Sequence, residues 1–294
     1  MATPWPLEDL WLALSALCPG LSLELLPSID STNSELMRRA RQGQVDPVVL
    51  IAENQTAGRG RLGRNWASAP GHSLTFSVGL MLHPPDWSGL SLAVGVALAE
   101  ALTQLLHAQA PHVPHPDPTR PVLGLKWPND VWCDPGTGPH KLGGILIETA
   151  TVPEGTTSLP GRFAVIGIGL NIRTPGAVDS TIPPLGLAEL EPGLQAPELL
   201  RHLLPTVLRT LLDFNQEGFA PLVSRFIRRD LLLDQPIRLS DGREGWARGV
   251  DMQGRLLVDT SAGREMVTSN EISVRPRTAS AGSSLGHGAS PHPG

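Results

Sequence analysis

The chain has 294 residues, 40% of them hydrophobic, and a formal net charge of −5. That length allows one large domain plus something small, and the charge excludes a general affinity for nucleic acid, so any positive site must be local. Gly and Pro together make up about a fifth of the residues, above the ~12% usual for globular chains, which predicts many turns around a real core. Two cysteines, Cys18 and Cys133, do not make a disulfide framework and read as reduced thiols of a cytoplasmic protein. The N-terminal segment carries Glu8 and Asp9 and no basic stretch, so it reads as a short amphipathic helix and not a signal peptide. No apolar run approaches the ~20 residues that span a bilayer.

The first element is a helix over 7–17, stopped by Pro19 and Gly20. The alternating "LSLELL" (21–26) predicts a strand. In "DSTNSELMRRARQG", Asp30 or Ser31 can cap a helix whose end is basic (Arg38, Arg39, Arg41) and stopped by Gly43. The continuous apolar run at 47–54 predicts a buried strand. In "SLTFSVGLML" (73–82), Leu74, Phe76, Val78, Leu80 and Leu82 fall on one strand face. Residues 90–109 are apolar nearly all round and predict a buried helix. The five prolines of 110–121 exclude regular structure and predict a surface loop. Strands follow at 122–127, 141–150 and 163–172, with turns at 134–139 and 153–161. From 197 to 229 the pattern is helical, broken near Gly218. Residues 236–275 alternate short strands with Asp-Gly, Gln-Gly and Ala-Gly turns, the pattern of a small SH3-like β-barrel. The tail, 278–294, has almost no large apolar residue and reads as disordered, with histidines too sparse for a metal site.

Between two of these strands lies "AGRGRLGRNW" (57–66), in which Gly58, Gly60 and Gly63 fit the dinucleotide pattern G-x-G-x-x-G. A dinucleotide loop must open a helix whose N-terminus holds the pyrophosphate. Here the glycines lead into "RNWASAPGHS", which has no helical period, and no acidic residue ends a second strand at the expected distance. Arg59, Arg61 and Arg64 instead concentrate positive charge on a glycine-rich backbone. Such a loop suits a multiply anionic, phosphate-bearing ligand, or is simply a solvated basic loop. Trp66 beside it could stack on a base.

Three further stretches carry a bland and a functional reading each. "KWPNDVW" (126–132) is a turn, or a cluster of Lys126, Asn129 and Asp130. "HKLGGILIE" (140–148) starts with Lys141 at a strand edge and has Gly143 and Gly144, which leave room for a ligand. "DSTN" (30–33) is a helix cap, or a set of hydroxyl and amide groups for a polar ligand.

In this order, "DSTNSEL", "AENQTAGRGRLGRNWASAPG", "LKWPNDVW", "KLGGILIET" and "VIGIGLNI" resemble the biotin protein ligase family, over residues 22–275. The resemblance implies an α+β fold: a mixed sheet with packed helices, like that of class II aminoacyl-tRNA synthetases, plus the small C-terminal barrel. It divides the chain into an N-terminal helix (1–21), a catalytic domain (22–232), an SH3-like domain (233–276) and a tail (277–294). Only 29 residues precede Asp30, which predicts a ligase without the DNA-binding domain that some family members carry.

The implied activity is ATP-dependent ligation of biotin, with Mg, to a lysine of a biotin carboxyl carrier domain through biotinyl-5′-AMP. A lipoate ligase and a non-catalytic biotin or nucleotide sensor are the alternatives. By the same resemblance, Ser31, Thr32, Asn33 and Gln55 meet the polar end of biotin. Gly58, Arg59, Gly60 and Arg61 form a loop that closes over the ligands and orders when they bind, with Arg61 retaining the intermediate. Arg64 meets ATP phosphates, Trp66 packs on adenine, and Asn129 and Asn171 fall near the nucleotide. Lys141 holds the biotin carboxylate and acyl-phosphate oxygens. Gly143, Gly144 and Leu146 floor the biotin pocket. Asp130 orients the incoming lysine or helps hold Mg, and no dedicated protein metal site is implied. Family members pair in some cases and not in others, so a homodimer stays open.

Overall fold

The computed structural model describes residues 4–108, 121–176, 182–269 and 274–276. The predicted Pro-rich loop, save Pro121, and the C-terminal tail lie outside the described residues. Seven strands form one sheet in the order β1 (Ser22–Leu26), β2 (Val48–Ala52), β3 (Ser73–Leu82), β7 (Arg162–Asn171), β6 (His140–Ala150), β5 (Asp130–Asp134) and β4 (Val122–Lys126). The β1–β2 pair is parallel and every other neighbouring pair antiparallel. The sheet is therefore mixed, as expected.

Alternation along β3 decides what lies on each side. Leu74, Phe76, Val78, Leu80 and Leu82 enter the main core, beneath α3 (Leu90–Ala108) and α4 (Ala196–Glu217), with α1 (Leu7–Ser15) packed on α4. The other face of β3 carries the small residues Ser73, Thr75, Ser77 and Gly79. That face looks toward α2 (Thr32–Arg41), whose Leu36, Met37 and Ala40 make a second core with Val48, Leu50, Phe163 and Val165. Among the described residues, helix α2 thus stands alone on its side, and the small residues near its N-terminus leave a hollow on the sheet. No helix among the described residues is long and apolar enough to cross a membrane.

Two local differences from the sequence reading have physical reasons, and the expected helix break at Gly218 holds. Helix α1 stops at Ser15, where Leu10 and Leu14 have already filled its buried stripe. Helix α4 runs to Glu217 and ends on Gly218 at φ 69°, a left-handed turn that a glycine adopts without strain. A 3₁₀ turn and the short α5 (Val223–Ile227) follow. Finally, "DVWCD" is strand β5, which the expected turn at 134–139 had absorbed at its last residue; its Val131, Trp132 and Cys133 are all buried.

The C-terminal strands form a second, antiparallel sheet in the order β11 (Gly263–Val267), β10 (Leu256–Thr260), β9 (Glu244–Val250), β8 (Pro236–Leu239) and β12 (Val274–Pro276). It is tied to the large sheet through a turn carbonyl and through the segment that leads into it. Trp127 Nε1 donates to the Gly254 carbonyl at 3.0 Å. The connection after α5 pairs with the free edge of β4: Leu125 N donates to Arg229 O at 2.7 Å and Leu231 N to Leu125 O at 3.0 Å. Covering that edge blunts it against pairing with another chain. Between those two bonds sits Asp230, 8% exposed. Its Oδ1 accepts from Leu232 N at 2.9 Å, while Oδ2 has no partner among the described residues. Burial pushes this carboxyl up to about 7, opposed only by the Leu232 bond.

Candidate active site

The hollow is a pocket enclosing about 870 Å³, its open mouth included. It is built from the α2 N-terminus, the arginine loop, the β4–β5 turn, β6 and β7.

Ser31 caps α2: its Oγ accepts from Ser34 N at 3.4 Å. Ser31, Thr32 and Asn33 are each at most 3% exposed, so their polar groups must be bonded within the fold. Thr32 N and Oγ1 donate to Gln55 Oε1 at 2.8 and 3.1 Å. Ser77 Oγ donates to Asn33 Oδ1 at 2.6 Å and lies 2.7 Å from Thr32 Oγ1. Asn33 Nδ2 donates to Glu148 Oε2 at 3.0 Å and to Leu146 O at 3.2 Å. The result is a rigid polar bed at a helix N-terminus. It lies close to the sheet because β7 offers glycine there: a Cβ on Gly167 would fall 2.2 Å from Asn33 Oδ1.

The arginine loop is a hairpin. Trp66 N donates to Gly58 O at 2.9 Å and Gly60 N to Arg64 O at 2.7 Å, with a 3₁₀ turn, Arg61–Gly63, at the tip. No α-helix follows its glycines, and β3 begins at Ser73. Its three arginines are not equivalent. Arg59 carries its own counter-charge, since Nη2 donates to both Glu148 oxygens at 2.7 and 3.0 Å. Arg61 reaches across the pocket, donating to Asn129 Oδ1 at 3.5 Å and to the Ser269 carbonyl, just past β11 of the small sheet. Burial lowers its basicity. Arg64 lines the pocket from its exposed rim. Trp66 lies across Gly169, where an added Cβ would fall 2.5 Å from its ring, and its buried Nε1 has no partner among the described residues.

Lys141 owes its direction to a bulge. The β5–β6 register pairs Val131 with Gly143 but Trp132 with Lys141, so Leu142 is the extra residue. A bulge reverses the alternation beyond it, which puts Lys141 on the same side as Gly144: a Cβ on Gly144 would sit 3.6 Å from Lys141 Nζ. The backbone here is braced, with Lys141 N donating to Pro183 O and Leu185 N to Lys141 O, both at 2.9 Å.

Lys141 Nζ lies 2.7 Å from Asp130 Oδ1, and Lys126 Nζ lies 3.7 Å from Asp130 Oδ2. Burial pushes the Asp130 carboxyl up, but Lys141 and Lys126 outweigh it and hold the group below the usual carboxylate range. Burial pulls the Lys126 ammonium down to about 8, against the attraction of Asp130. Asp130 is the one acidic residue lining the pocket, and no cluster of three or more His, Cys, Asp or Glu exists among the described residues. This lining fits an ion carried by phosphates and not one caged by protein.

Of the residues singled out in the sequence, Ser31, Thr32, Asn33, Gln55, Arg59, Gly60, Arg61, Arg64, Trp66, Asn129, Asp130, Lys141, Gly144 and Leu146 all line this pocket. Three lie outside the lining. Gly58 is at the base of the loop, where a Cβ would meet Trp66 O at 2.5 Å. Gly143 faces β7, with Gly169 O 2.3 Å from its added Cβ. Asn171 donates to the carbonyls of Lys141 and Leu185 at 3.3 and 3.4 Å, bracing the lysine from behind. Sequence reasoning missed Ser77, Glu148, Gly167 and Gly169. The alternate glycines of "VIGIGLNI" were the available signal, because glycine inside a strand marks close approach of another group.

This geometry is that of the Biotin/lipoate A/B protein ligase family, whose model matches residues 25–171, and the chain belongs to that family. Residues 232–275 match the Biotin protein ligase C terminal domain, which narrows the relationship to the biotin branch. The Biotin--[acetyl-CoA-carboxylase] ligase of Mycobacterium tuberculosis is 36% identical over 262 residues, 85% of this chain and 88% of the relative. The Bifunctional ligase/repressor BirA of Escherichia coli is 34% identical over 263 residues, 87% of this chain and 75% of the relative. Among solved structures, the biotin protein ligase from Aquifex aeolicus in complex with biotin and ATP has a TM-score of 0.67 and 27% identity, covering 87% of this chain and 99% of that one.

Proposed function

We propose that this enzyme ligates biotin to a lysine of a biotin carboxyl carrier domain, using ATP and passing through biotinyl-5′-AMP. One observation carries the reading: a polar, hydrogen-bonded bed and a set of cations converge on a single pocket. The bed of Ser31, Thr32, Asn33 and Gln55 receives the polar end of biotin. The glycine-floored trough beyond it, with Gly144 and Leu146, takes the apolar body. The biotin carboxylate then lies toward Lys141, where it must approach the α-phosphate of a polyanion. Fixed cations offset that repulsion and stabilise the charge that builds on the phosphorus oxygens.

Lys141, Arg61 and Arg64 supply them. Arg59 is committed to Glu148, so it contributes its backbone and the position of the loop. Mg, bound through the nucleotide phosphates, adds charge neutralisation. Trp66 offers its ring face to adenine, Asn129 supports the nucleotide side, and Asn171 braces the Lys141 backbone. In the second half-reaction the carrier lysine, drawn in as an ammonium by Asp130, gives up a proton to solvent and attacks the acyl carbon as the free amine; the C–N bond forms, the C–O bond to the phosphate breaks, and AMP leaves. Arg61 spans the pocket, which keeps the adenylate from escaping before that attack. In this proposal residues 22–232 carry the chemistry and 233–276 support Arg61. Two buried free thiols, Cys18 and Cys133, accord with a cytoplasmic setting.

The test is ATP-dependent transfer of biotin to a purified carrier domain, followed by intact mass, with lipoate as the competing acid. Transfer of lipoate in place of biotin, or ligand binding without AMP release, refutes the proposal.

A further inference from the structure

Asp130 is clamped between two lysines, one on each oxygen, and the two differ in what they can reach. The Lys141 side chain is 30% exposed and opens on the pocket, whereas that of Lys126 is 9% exposed. Lys126 is directly opposite Asp130 in the β4–β5 register. Its ammonium also lies 5.8 Å from the centre of the Trp132 ring, a cation–π distance that helps hold it there. In the ligase reading Lys141 must leave Asp130 and turn to the biotin carboxylate and the acyl phosphate. If Lys141 were the sole counter-charge, that move would strand a buried carboxylate, and the cost would keep Lys141 where it is.

We infer that Lys126 is a positioning residue of this site: it is the standing counter-charge of Asp130, and its presence frees Lys141 to serve the anionic ligand. Lys126 touches no reacting atom in this scheme. It acts through Asp130, and it leaves that carboxylate ionised and in place for the incoming lysine of the carrier. The inference rests on the ligase reading, and the experiment separates the two.

Biotin-dependent exchange of pyrophosphate into ATP is measured for the full chain, for K126M, K126R and D130N, and for K126M combined with D130N. Methionine fills the buried space without charge, and Lys141 remains on Asp130, so in the resting variant the carboxylate keeps a partner and the fold is expected to hold. K126M is expected to lower kcat on the order of 10²-fold, the scale set by an unpaired buried charge. K126R is expected to stay within about fivefold of the parent, because the guanidinium preserves the charge. In the D130N background K126M is expected to add no more than about threefold, since the carboxylate it serves is gone. The inference is overturned if K126M exchanges at the parental rate, if K126R is as slow as K126M, or if the single effects multiply in the double variant. It is equally overturned if K126M fails to fold by circular dichroism, which would make Lys126 a residue of the fold. A parent chain that shows no biotin-dependent exchange refutes the ligase reading instead.

Discussion

Asp230 offers a measurement that is independent of substrates. It is buried between two backbone bonds that tie the connection after α5 to β4, and its Oδ2 has no partner among the described residues. Burial raises its pKa from 3.8 to about 7. An acid whose folded pKa lies above its unfolded value binds its proton more tightly when folded. The stabilisation is complete below the unfolded pKa and is lost as pH rises through the folded one. Three pH units of difference at about 1.4 kcal/mol each give a total near ~4 kcal/mol. Most of that is already lost by about pH 6, where the unfolded carboxyl is ionised; between about pH 6 and about pH 8.5 the remainder, roughly 1.4 kcal/mol, is lost.

Asp230→Asn keeps an oxygen for Leu232 N and cannot ionise. Urea unfolding followed by tryptophan fluorescence, run on both proteins at the two pH values, yields the difference in stability at each. Contributions common to the two chains cancel in that difference. The Asn variant is expected to gain on the parent by roughly 1.4 kcal/mol between the lower and the higher pH. Two curves that stay parallel across that range would refute the argument that Asp230 is a buried, protonated acid.

Three predictions concern the site itself. Lys141→Ala is expected to lower biotin-dependent pyrophosphate exchange on the order of 10³-fold, since it removes the cation placed for the biotin carboxylate; near-normal exchange would remove that assignment. Arg61→Gly is expected to release biotinyl-AMP and label bystander lysines, read by mass spectrometry of a mixture of carrier and an unrelated protein, and labelling confined to the carrier would count against the tether. Gly167→Ala puts a Cβ 2.2 Å from Asn33 Oδ1; it is expected to raise the KM for biotin at least about fivefold, with that for ATP unchanged, because overpacking of about 1–3 kcal/mol falls on the polar bed. An unchanged biotin KM in that variant would show that the bed does not hold the ligand.

Much of this was legible in the chain because the signals are local. The alternation in β3, the end of α4 at Gly218 and the Gly-containing turns of the small sheet each depend on neighbouring residues. The missed strand β5 is only five residues long, buried through its middle and opened by Pro128 and Asn129 leading into Asp130, its first residue, a run that favours a turn. A buried strand of that length has no alternation to betray it. The candidate site divides in the same way. Four short stretches indicated most of the pocket lining. Partners that depend on distant pairing were not visible, such as Ser77 with Asn33 or Glu148 with both Asn33 and Arg59. The inward turn of Lys141 was equally hidden, because it depends on one extra residue in a register that only folding creates.

Two of the bonds that cross between the sheets end on groups of the site. Arg61 binds the Ser269 carbonyl, 208 residues further along the chain, and Trp127, beside Lys126 and Pro128 of the pocket, binds Gly254. A chain cut after Asp230 would therefore keep every pocket-lining residue and lose both tethers. The inventory of residues that touch a ligand does not delimit the smallest working enzyme; the frame that holds those residues taut extends through the last strands.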